Sequence, residues 1–390
     1  MSGWSHWDWP FFDAQHETTV ERLHAWRARY AQIEPSLAQQ PLTEQCRLLA
    51  AELGKAGLLG YAVPRLAGDT PPSVDLRSVC LIREALSYDS ALADFVFSMQ
   101  GIGSAPLWLF GSEAQRSRYL DGCREGRTLA AFALTEPGGG SDVAAITTRG
   151  ERRGERYVLN GAKAYISNGG IADYYVIVAR TEDAPGAKAL SAFLVDARTT
   201  GLKASANVEI VAPHPLAELE LHDCEVSADS MLGQPGEGFK VAMAVLDIFR
   251  SSVGAAAVGL ARRALDETVA RMNARTLFGK PMAEMDTVRM RVADMALDTE
   301  AAALLVYRAA WQRDARRAAI TREASMAKLG ATEAAFRVVD SAVQLFGALG
   351  VTQGCVIERL FRDVRPMRIY EGASEIQKLI IGRKVLAACP

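Results

Sequence analysis

ALTEPGGGSD, at residues 133–142, and LNGAKAYISNG, at residues 159–169, lie where the residue pattern of the chain changes. Between about Thr128 and Leu232, short runs rich in β-branched and aromatic residues are separated by Gly, Asn, Asp and Pro turns. These runs include Tyr157–Leu159, Tyr174–Ala179, Leu190–Val195 and Leu219–Leu221. Their spacing predicts a β domain of about a hundred residues.

Helical patterns flank this β segment on both sides. From Glu17 to about Arg127, apolar residues recur at helical spacing. Beyond about Glu237, long stretches rich in Ala, Leu, Met and Arg contain few helix breakers. Small residues that would let helices approach closely occur at Gly254–Ala257 and Gly259–Ala261. The order of patterns is therefore helical, β and helical again.

We predict an α+β protein with three consecutive domains. They are an N-terminal helical domain at residues 1–127, a middle β-barrel-like domain at 128–232 and a C-terminal four-helix bundle at 233–390. A chain of 390 residues with 49% hydrophobic side chains is long enough to bury a large core. Its formal charge of −2 provides no basic surplus for nucleic acid or anionic membranes, so neither is an expected partner.

Cysteine and histidine usage also limits the classes of function. The six cysteines, at positions 46, 80, 123, 224, 355 and 389, form no CxxC pair, which favours reduced thiols in a cytoplasmic protein. We find no basic-then-apolar leader and no run of about 18 apolar residues, and we therefore expect no export and no membrane span. The five histidines have no metal-binding spacing, and no GxSxG motif is present, so no metal site is predicted.

Gly138–Gly140 is the first candidate for a binding element. Glycines lack Cβ, so the main chain can approach a flat ring or a phosphate, and Thr135 and Ser141 add hydroxyl groups. From this run alone, a plain turn between strands is equally consistent. Tyr165 and Ser167 are two residues apart and would share one face of a strand.

Taken together, seven motifs resemble those of the acyl-CoA dehydrogenases. Besides the two quoted above, the motifs are LDIFR (246–250), RTLFGK (275–280), VQLFG (343–347), ERLFRD (358–363) and IYEGASEIQ (369–377). The resemblance covers nearly the whole chain, and the family has the same helical, β and helical order. It implies FAD as the cofactor. The FAD-binding residues implied in the first part of the chain are Phe132, Leu134, Thr135, Gly140, Ser141, Tyr165 and Ser167.

The resemblance also implies assembly of identical subunits, most simply as a homotetramer. In the family, Arg275 and Phe278 would reach the FAD of a neighbouring subunit, and Gln344 and Gly347 would contact the adenine half of FAD across another interface. Ala373 and Glu375 complete the implied FAD-binding set. Two departures, Asp286 for a common glutamine and Ala373 for a usual threonine, would remove one or two hydrogen bonds on the adenosine side.

Glu371 is the candidate catalytic base. Removing the weakly acidic α-proton of a thioester needs a nearby carboxylate whose pKa is raised by desolvation. Without the other motifs, the favoured interpretation of Glu371 would be that it complements the dipole of the last helix. One branch of the family places its base just before the arginine of the LDIFR motif, but that residue here is Phe249. The implied reaction is α-proton loss to Glu371 with transfer of the β-hydride to the flavin N5.

The implied substrate-binding residues are Ser141, Asp247, Arg250 and Gly372. The acyl pocket is expected to use residues near Phe95, Met99, Gln100 and Phe249. A family Gly-x-Arg-x-Ser pattern is replaced by VAPHPLAE at residues 211–218, which would stiffen that loop and leave it without arginine. The change is consistent with an unusual acyl carrier or with neutral drift.

The expected substrate is acyl-CoA, or an acyl group on acyl carrier protein (acyl-ACP), and the expected electron acceptor is electron-transferring flavoprotein. An acyl-CoA oxidase shares most motifs but usually has an extra C-terminal domain. A flavin-containing DNA-associated binding protein is a further alternative from another class, although the chain has no evident basic patch.

Overall fold

The computed structural model describes residues 8–66 and 73–387, so the predictions that concern His6 and Cys389 fall outside the described residues. The helices that precede the sheet are α1 (Gln15–Leu37), α2 (Leu42–Lys55), α3 (Leu76–Asp89), α4 (Ala91–Phe110) and α5 (Glu113–Arg124). The strands of the sheet are β1 (Ala130–Ala133), β2 (Arg149–Arg153), β3 (Arg156–Ser167), β4 (Tyr174–Arg180), β5 (Leu190–Asp196), β6 (Leu202–Ala204), β7 (Leu216–Ser227) and β8 (Met231–Leu232). The elements that follow are α6 (Gly238–Ala274), β9 (Thr276–Leu277), β10 (Lys280–Pro281), α7 (Asp286–Asp314), α8 (Thr321–Phe346), α9 (Val356–Val364) and α10 (Ser374–Leu386).

The fold is α+β, with the helical, β and helical order predicted from the sequence. It divides into two compact units. Within the described residues, the helical unit contains residues 8–24, Asp75–Asp94 and residues 249–387. The sheet unit contains Ala25–Val74 and Phe95–Ile248. The predicted first domain is thus shared between the two units, and the three-domain boundaries stay a prediction.

The sheet unit is organised around strands in the order β6-β7-β3-β2-β4-β5-β8, with β1 paired in parallel to β4. Strands β4 and β5 are buried along almost their entire length, whereas β7 alternates between buried and exposed residues. Runs such as YYVIVAR suit a strand that is covered on both faces, because β-branched and aromatic side chains pack well on a pleated surface. The core includes Tyr157, Ile177, Phe193 and Leu219.

Gln100 of α4 fixes the start of β1. Its side-chain amide donates to the carbonyls of Cys123 and Thr128, at 3.0 and 2.7 Å, and its Oε1 accepts from Ala130 N at 3.1 Å. Gln100 is fully buried, so these bonds satisfy an amide that would otherwise be costly to bury. The amide of Gln100 is thus occupied by the backbone, and its place in the acyl pocket stays a prediction.

Small residues bring the helices of the helical unit close together, as predicted. A Cβ on Gly254 of α6 would lie 2.8 Å from Val306 of α7 and 3.0 Å from the carbonyl oxygen of Ala327 of α8. A Cβ on Gly259 would lie 2.2 Å from the carbonyl oxygen of Glu84 on α3. Only glycine fits such contacts without displacing backbone, so these positions set the spacing of α6 from α3, α7 and α8.

Two described helices, Gly238–Ala274 and Thr321–Val351, are long and apolar enough to cross a membrane by length and composition. Core helices of water-soluble proteins satisfy the same criterion, and 78% of the most apolar window of the first helix is buried within the protein. The finding is therefore weak evidence for a membrane span.

The described cysteines are free thiols, as predicted. Cys46, Cys80, Cys123 and Cys224 are buried, and Cys355 is partly exposed. Burial raises the pKa of Cys46 and of Cys123 to about 12 and that of Cys224 to about 11, because the thiolate would lose its hydration.

Candidate active site

The glycine run forms an open loop directly after β1. Glu136 and Gly139 exchange two backbone hydrogen bonds, with N–O distances of 3.3 and 3.0 Å, which close a tight turn. A Cβ on Gly138 or Gly139 would meet nothing within 4 Å, whereas one on Gly140 would lie 3.1 Å from Thr135 Cγ2. The main chain of this loop is therefore accessible to a flat ring or a phosphate.

A buried ion pair anchors this loop. Lys163 Nζ on β3 lies 2.8 Å from Glu136 Oε1, and both side chains are almost completely buried. Glu136 also accepts hydrogen bonds from the backbone N–H groups of Thr147 and Thr148 and from the Thr147 hydroxyl. Burial alone would raise the pKa of Glu136, but the hydrogen bonds from Lys163 and the threonines outweigh it and lower the pKa to about 2.

The two quoted motifs meet at the end of β3. Ala164 N donates to Thr135 O at 2.9 Å. Tyr165 has a left-handed backbone, with φ of +55°, where the β3–β7 register shifts between Lys163 and Ile166. The strand is thus bulged there by one extra residue, which was not predicted from the sequence. Both side chains still keep exposed surface, while Ile166 between them is buried.

The predicted FAD-binding residues of the sheet unit share one property, which is that all retain exposed surface. On β1 and just after it, Phe132 and Leu134 are half-buried and alternate with the buried Ala131 and Ala133. Tyr165 is 61% exposed. The other members of the set with exposed surface are Thr135, Gly140, Ser141 and Ser167. Apolar rings, hydroxyl groups and open backbone on one unit fit a flavin and its phosphates.

His214 occupies the loop that departs from the family pattern. Its ring stacks on Phe95 with the centroids 4.5 Å apart and an interplanar angle of 17°. Burial lowers the pKa of His214 to about 4, so the imidazole is neutral at physiological pH. The stack fixes this loop of the sheet unit against α4.

Glu371 lies in the helical unit, between a short 3₁₀ turn (Arg365–Arg368) and α10. It has φ of +51°, an uncommon conformation for a residue with a side chain, and Gly372 follows with φ of +92°. Its Oε2 atom is buried and has no hydrogen-bond partner among the described residues. Ala373 is the N-cap of α10, so Glu371 precedes the first turn of that helix rather than forming part of it.

Charged side chains from four helices surround Glu371. Burial raises the pKa of its carboxyl, while the positive charges of Arg83, Lys328 and Arg250 oppose this rise and Asp94 adds to it. Arg83 is fully buried and donates to both carboxylate oxygens of Asp94 at 2.8 Å. The cluster therefore holds one carboxylate, Asp94, in a tight pair and leaves an oxygen of the other, Glu371, unbonded.

The remaining predicted residues are spread over the two units. Arg250 is buried on α6, and Phe249 beside it is fully buried, so no carboxylate occupies the alternative base position. Asp247 belongs to the sheet unit and is half-buried. The Gly372 carbonyl accepts from Lys328 Nζ and Gln377 Nε2, and Glu375 is exposed in the first turn of α10.

Four predicted FAD-contacting residues lie at the surface of the helical unit. Phe278 is 87% exposed, at the tip of the β9–β10 hairpin, with φ of +52°. Arg275, just before β9, is half-buried. Gln344 and Gly347 are exposed at the C-terminal end of α8. Such exposure leaves these residues available to a neighbouring subunit.

Sequence reasoning missed three side chains that shape these sites. Lys163 and Glu136 were inside the quoted motifs, but only the structure shows that they pair. Lys328 lies on α8, far from any motif, and its contact with Gly372 depends on helix packing. A lysine within the otherwise apolar SMAKLGA stretch was the available signal, since buried lysines normally have a partner. No group of three or more His, Cys, Asp or Glu suited to a metal ion occurs in the residues that the structure describes.

Family models for the N-terminal, middle and C-terminal domains of acyl-CoA dehydrogenase match residues 22–127, 131–224 and 236–386. An acyl-CoA dehydrogenase of Bacillus subtilis is 37% identical over 341 residues, which are 87% of this chain and 89% of that protein. The chain belongs to the acyl-CoA dehydrogenase family. This family consists of FAD-dependent oxidoreductases that act on CH–CH bonds.

Two further acyl-CoA dehydrogenases, one known from its sequence and one from its structure, are also similar to this chain. The human mitochondrial short-chain specific acyl-CoA dehydrogenase is 37% identical over 338 residues, 86% of this chain and 81% of that protein. A crystal structure of acyl-CoA dehydrogenase complexed with FAD from Bacillus anthracis superimposes with a TM-score of 0.87 and 31% identity. That match covers 96% of this chain and 67% of the other.

Proposed function

We propose that the protein dehydrogenates a short-chain acyl-CoA between its α and β carbons, with Glu371 as the base that removes the α-proton. Bound FAD supplies the acceptor for the β-hydride. The observation that carries the proposal is the buried Oε2 atom of Glu371, which lacks a hydrogen-bond partner among the described residues. An unbonded carboxylate oxygen with a raised pKa is suited to accept a proton from carbon.

The position of Glu371 argues against a role in helix capping. A glutamate that complements a helix dipole lies exposed in the first turn, as Glu44 does in α2. The Glu371 carboxylate is instead buried, precedes α10 and lies among Arg83, Lys328 and Arg250. These cations oppose the rise in the pKa of Glu371 that burial causes.

Replacing Glu371 tests the proposal directly. Glu371→Gln keeps the size and shape of the side chain but removes the carboxylate that accepts the proton. Flavin reduction by butyryl-CoA should therefore slow by about 10²- to 10⁴-fold. Binding of FAD and of the thioester should persist. The measurement is anaerobic flavin bleaching in a stopped-flow instrument at several pH values.

Wild-type reduction should increase with pH through one apparent pKa, which should be missing in Glu371→Gln. Glu44→Gln serves as the matched control and should keep the wild-type rate. Bleaching of Glu371→Gln at close to the wild-type rate would show that another residue is the base.

FAD is assigned to the exposed surface around the glycine loop. Open backbone at Gly138 and Gly139, the hydroxyls of Thr135 and Ser141 and the exposed ring of Tyr165 support this assignment. Purified protein should be yellow and should release FAD on denaturation. Release of FMN, or no flavin uptake after incubation with FAD, would contradict it.

An acyl group on acyl carrier protein is the second candidate substrate. Supporting it, residues 211–218 carry no arginine or lysine for the phosphates of CoA, and His214 is stacked on Phe95 and neutral. Comparing butyryl-CoA with butyryl-ACP in the same bleaching assay separates the two carriers.

We also propose electron-transferring flavoprotein as the acceptor and a cytoplasmic location. A rapid reaction with oxygen instead would identify an oxidase.

We further propose a homotetramer built from three domains, at residues 1–127, 128–232 and 233–390, with a barrel-like sheet and a four-helix bundle. The ranges of the three family models support the boundaries. The close packing of α6, α7 and α8 at Gly254 supports a bundle. Exposed Phe278 and an exposed apolar stripe on α7, formed by Met290, Leu297 and Leu304, support assembly.

A further inference from the structure

The backbone around Glu371 adopts an uncommon conformation that must be held in place. Glu371 and Gly372 are both left-handed, with φ of +51° and +92°. A residue with a side chain loses about 1–2 kcal/mol in this region, because Cβ approaches the following carbonyl oxygen. Surrounding contacts must therefore keep the turn folded when the site is empty.

Two buried side chains bind the carbonyl oxygen of Gly372. Lys328 Nζ donates to it at 2.9 Å and Gln377 Nε2 at 3.0 Å. Lys328 belongs to α8 and Gln377 to α10, and both are fully buried. A charged donor makes the stronger of the two hydrogen bonds. The turn is thus tied to the middle of α8 as well as to its own helix.

A second residue of α8 holds the chain on both sides of the turn. Glu333 accepts from Arg368 Nε at 2.9 Å and from the Ser374 hydroxyl at 2.6 Å. Lys328 and Glu333 therefore fix the segment between Arg368 and Ser374 at three points. Since α8 is packed against α6 and α7, this support is rigid.

Lys328 also brings a positive charge close to the Glu371 carboxyl. Burial lowers the pKa of Lys328 to about 8, so the amine is still protonated near neutral pH. The other charged groups near Glu371 are Arg83 on α3, Asp94 on α4 and Arg250 on α6. Lys328 also bonds the turn that carries Glu371.

We propose that Lys328 is a positioning residue for the reaction, whose ammonium group fixes the Gly372 carbonyl and thereby orients the Glu371 carboxylate. This inference rests on the proposed role of Glu371 as the base. Lys328 acts through the turn and has no assigned contact with substrate. It combines two effects, a hydrogen bond that sets geometry and a charge that favours the ionised carboxylate.

Two variants separate these effects. Lys328→Met removes both the hydrogen bond and the charge, whereas Gln377→Leu removes the hydrogen bonds from Gln377 to the Gly372 and Glu371 carbonyls and leaves the charge. Lys378→Met is the matched control, because Lys378 is exposed on α10 next to Gln377. Each FAD-loaded variant is measured in two ways, by hydrogen exchange of the peptide spanning residues 369–377 and by flavin reduction with butyryl-CoA across pH.

In Lys328→Met, exchange in residues 369–377 should increase, and flavin reduction should slow by about 10- to 100-fold, as expected for a misplaced base. The apparent pKa of flavin reduction in this variant should rise by about one unit or more, because the ammonium group of Lys328 no longer stabilises the ionised Glu371 carboxylate. Gln377→Leu should increase exchange in the same peptide without raising the apparent pKa. Lys378→Met should match the wild type in both measurements.

The proposal is overturned if Lys328→Met keeps wild-type exchange in this peptide, or if its pH profile matches that of Lys378→Met. If Lys328→Met does not fold, wild-type exchange in Gln377→Leu would overturn the claim that the bonded carbonyl holds the turn. Failure of butyryl-CoA to reduce the wild-type flavin would contradict the proposed function instead. Hydrogen exchange would still decide the role of Lys328 in that case.

Discussion

Burial of the Glu371 carboxyl makes its ionised form unfavourable in the folded protein, because Oε2 is buried and has no hydrogen-bond donor within the described chain. A carboxyl whose pKa is raised by folding stabilises the protein below its unfolded pKa. That contribution is lost as pH rises through the folded pKa. Near neutral pH, the site therefore lowers the free energy of unfolding.

Glu371→Gln should consequently be more stable than the wild type at pH 8 and similar to it at pH 4. Each unit of pKa shift corresponds to about 1.4 kcal/mol. Thermal unfolding of the FAD-loaded proteins between pH 4 and pH 8 measures the difference. For Glu44→Gln, at an exposed site, the gain in stability over wild type should not increase with pH. A Glu371→Gln protein less stable than wild type at pH 8 would contradict this account.

Single residues were predictable from the sequence where their chemistry was unusual. Glu371, the glycine run and Phe249 were singled out by the resemblance of their motifs to those of the acyl-CoA dehydrogenases, and the role of Glu371 as the base stays a prediction. The structural role of Gln100 was not predicted, since nothing in the sequence shows that its amide bonds the backbone at Cys123, Thr128 and Ala130. Lys328 was missed because its partner carbonyl lies 44 residues away in the chain.

The glycine loop depends, as an element, on the pair of Glu136 and Lys163. Lys163→Met should lower the free energy of unfolding by about 3–5 kcal/mol, because it leaves a carboxylate buried without its cation. Adding Glu136→Gln should recover part of this loss. Urea unfolding measures the change in stability. The amount of FAD that each purified variant retains measures the effect on the glycine loop. The exposed pair Arg156–Glu225 on β3 and β7 is the control, and Arg156→Met should cost less than about 1 kcal/mol.

The same pair has a defined pH range. Since its pKa is lowered to about 2, Glu136 stabilises the fold above the usual carboxyl pKa of about 4.5. This stabilisation is lost as pH falls from about 4.5 towards 2. Wild type and Lys163→Met should therefore approach each other in stability in acid. If the difference in stability between wild type and Lys163→Met grew as the pH fell, the ion pair of Glu136 and Lys163 would not be the source of that difference.

Elements were predicted better than their irregularities. The change from helical to β patterns near Thr128 and back near Glu237 agrees with β1 at Ala130–Ala133 and α6 at Gly238–Ala274. The bulge at Tyr165 was not predicted, because a left-handed tyrosine has no local sequence signature and arises from the β3–β7 register.

For the whole molecule, the exposed stripe on α7 predicts how subunits associate. Met290, Leu297 and Leu304 are spaced by seven residues and are exposed by 69%, 70% and 47%, so they form an apolar line along one face. Leu297→Glu should reduce the assembly to a smaller species, because a charge would be buried at the interface. Light scattering after gel filtration measures the mass.

Leu48→Glu, which changes an exposed leucine on α2, is the matched control and should leave the mass unchanged. If Leu297→Glu kept the wild-type mass, this stripe would not be the interface.

For the whole molecule, the sequence predicted the order of the helical and β segments but not how they group into the two compact units. Helix α3 joins α6 and α7 in the helical unit because Gly259 admits Glu84 so closely, a contact between residues 175 positions apart that no local pattern encodes.

The buried thiols make the enzyme convenient for single-site spectroscopy. Cys46, Cys80, Cys123 and Cys224 are shielded and hard to ionise, so maleimide dyes should leave them unmodified in the native state. Cys355, partly exposed just before α9, is the described cysteine open to labelling. After Cys389→Ser, one fluorophore at Cys355 would then report on the helical unit through energy transfer to the yellow cofactor, without further engineering of the chain.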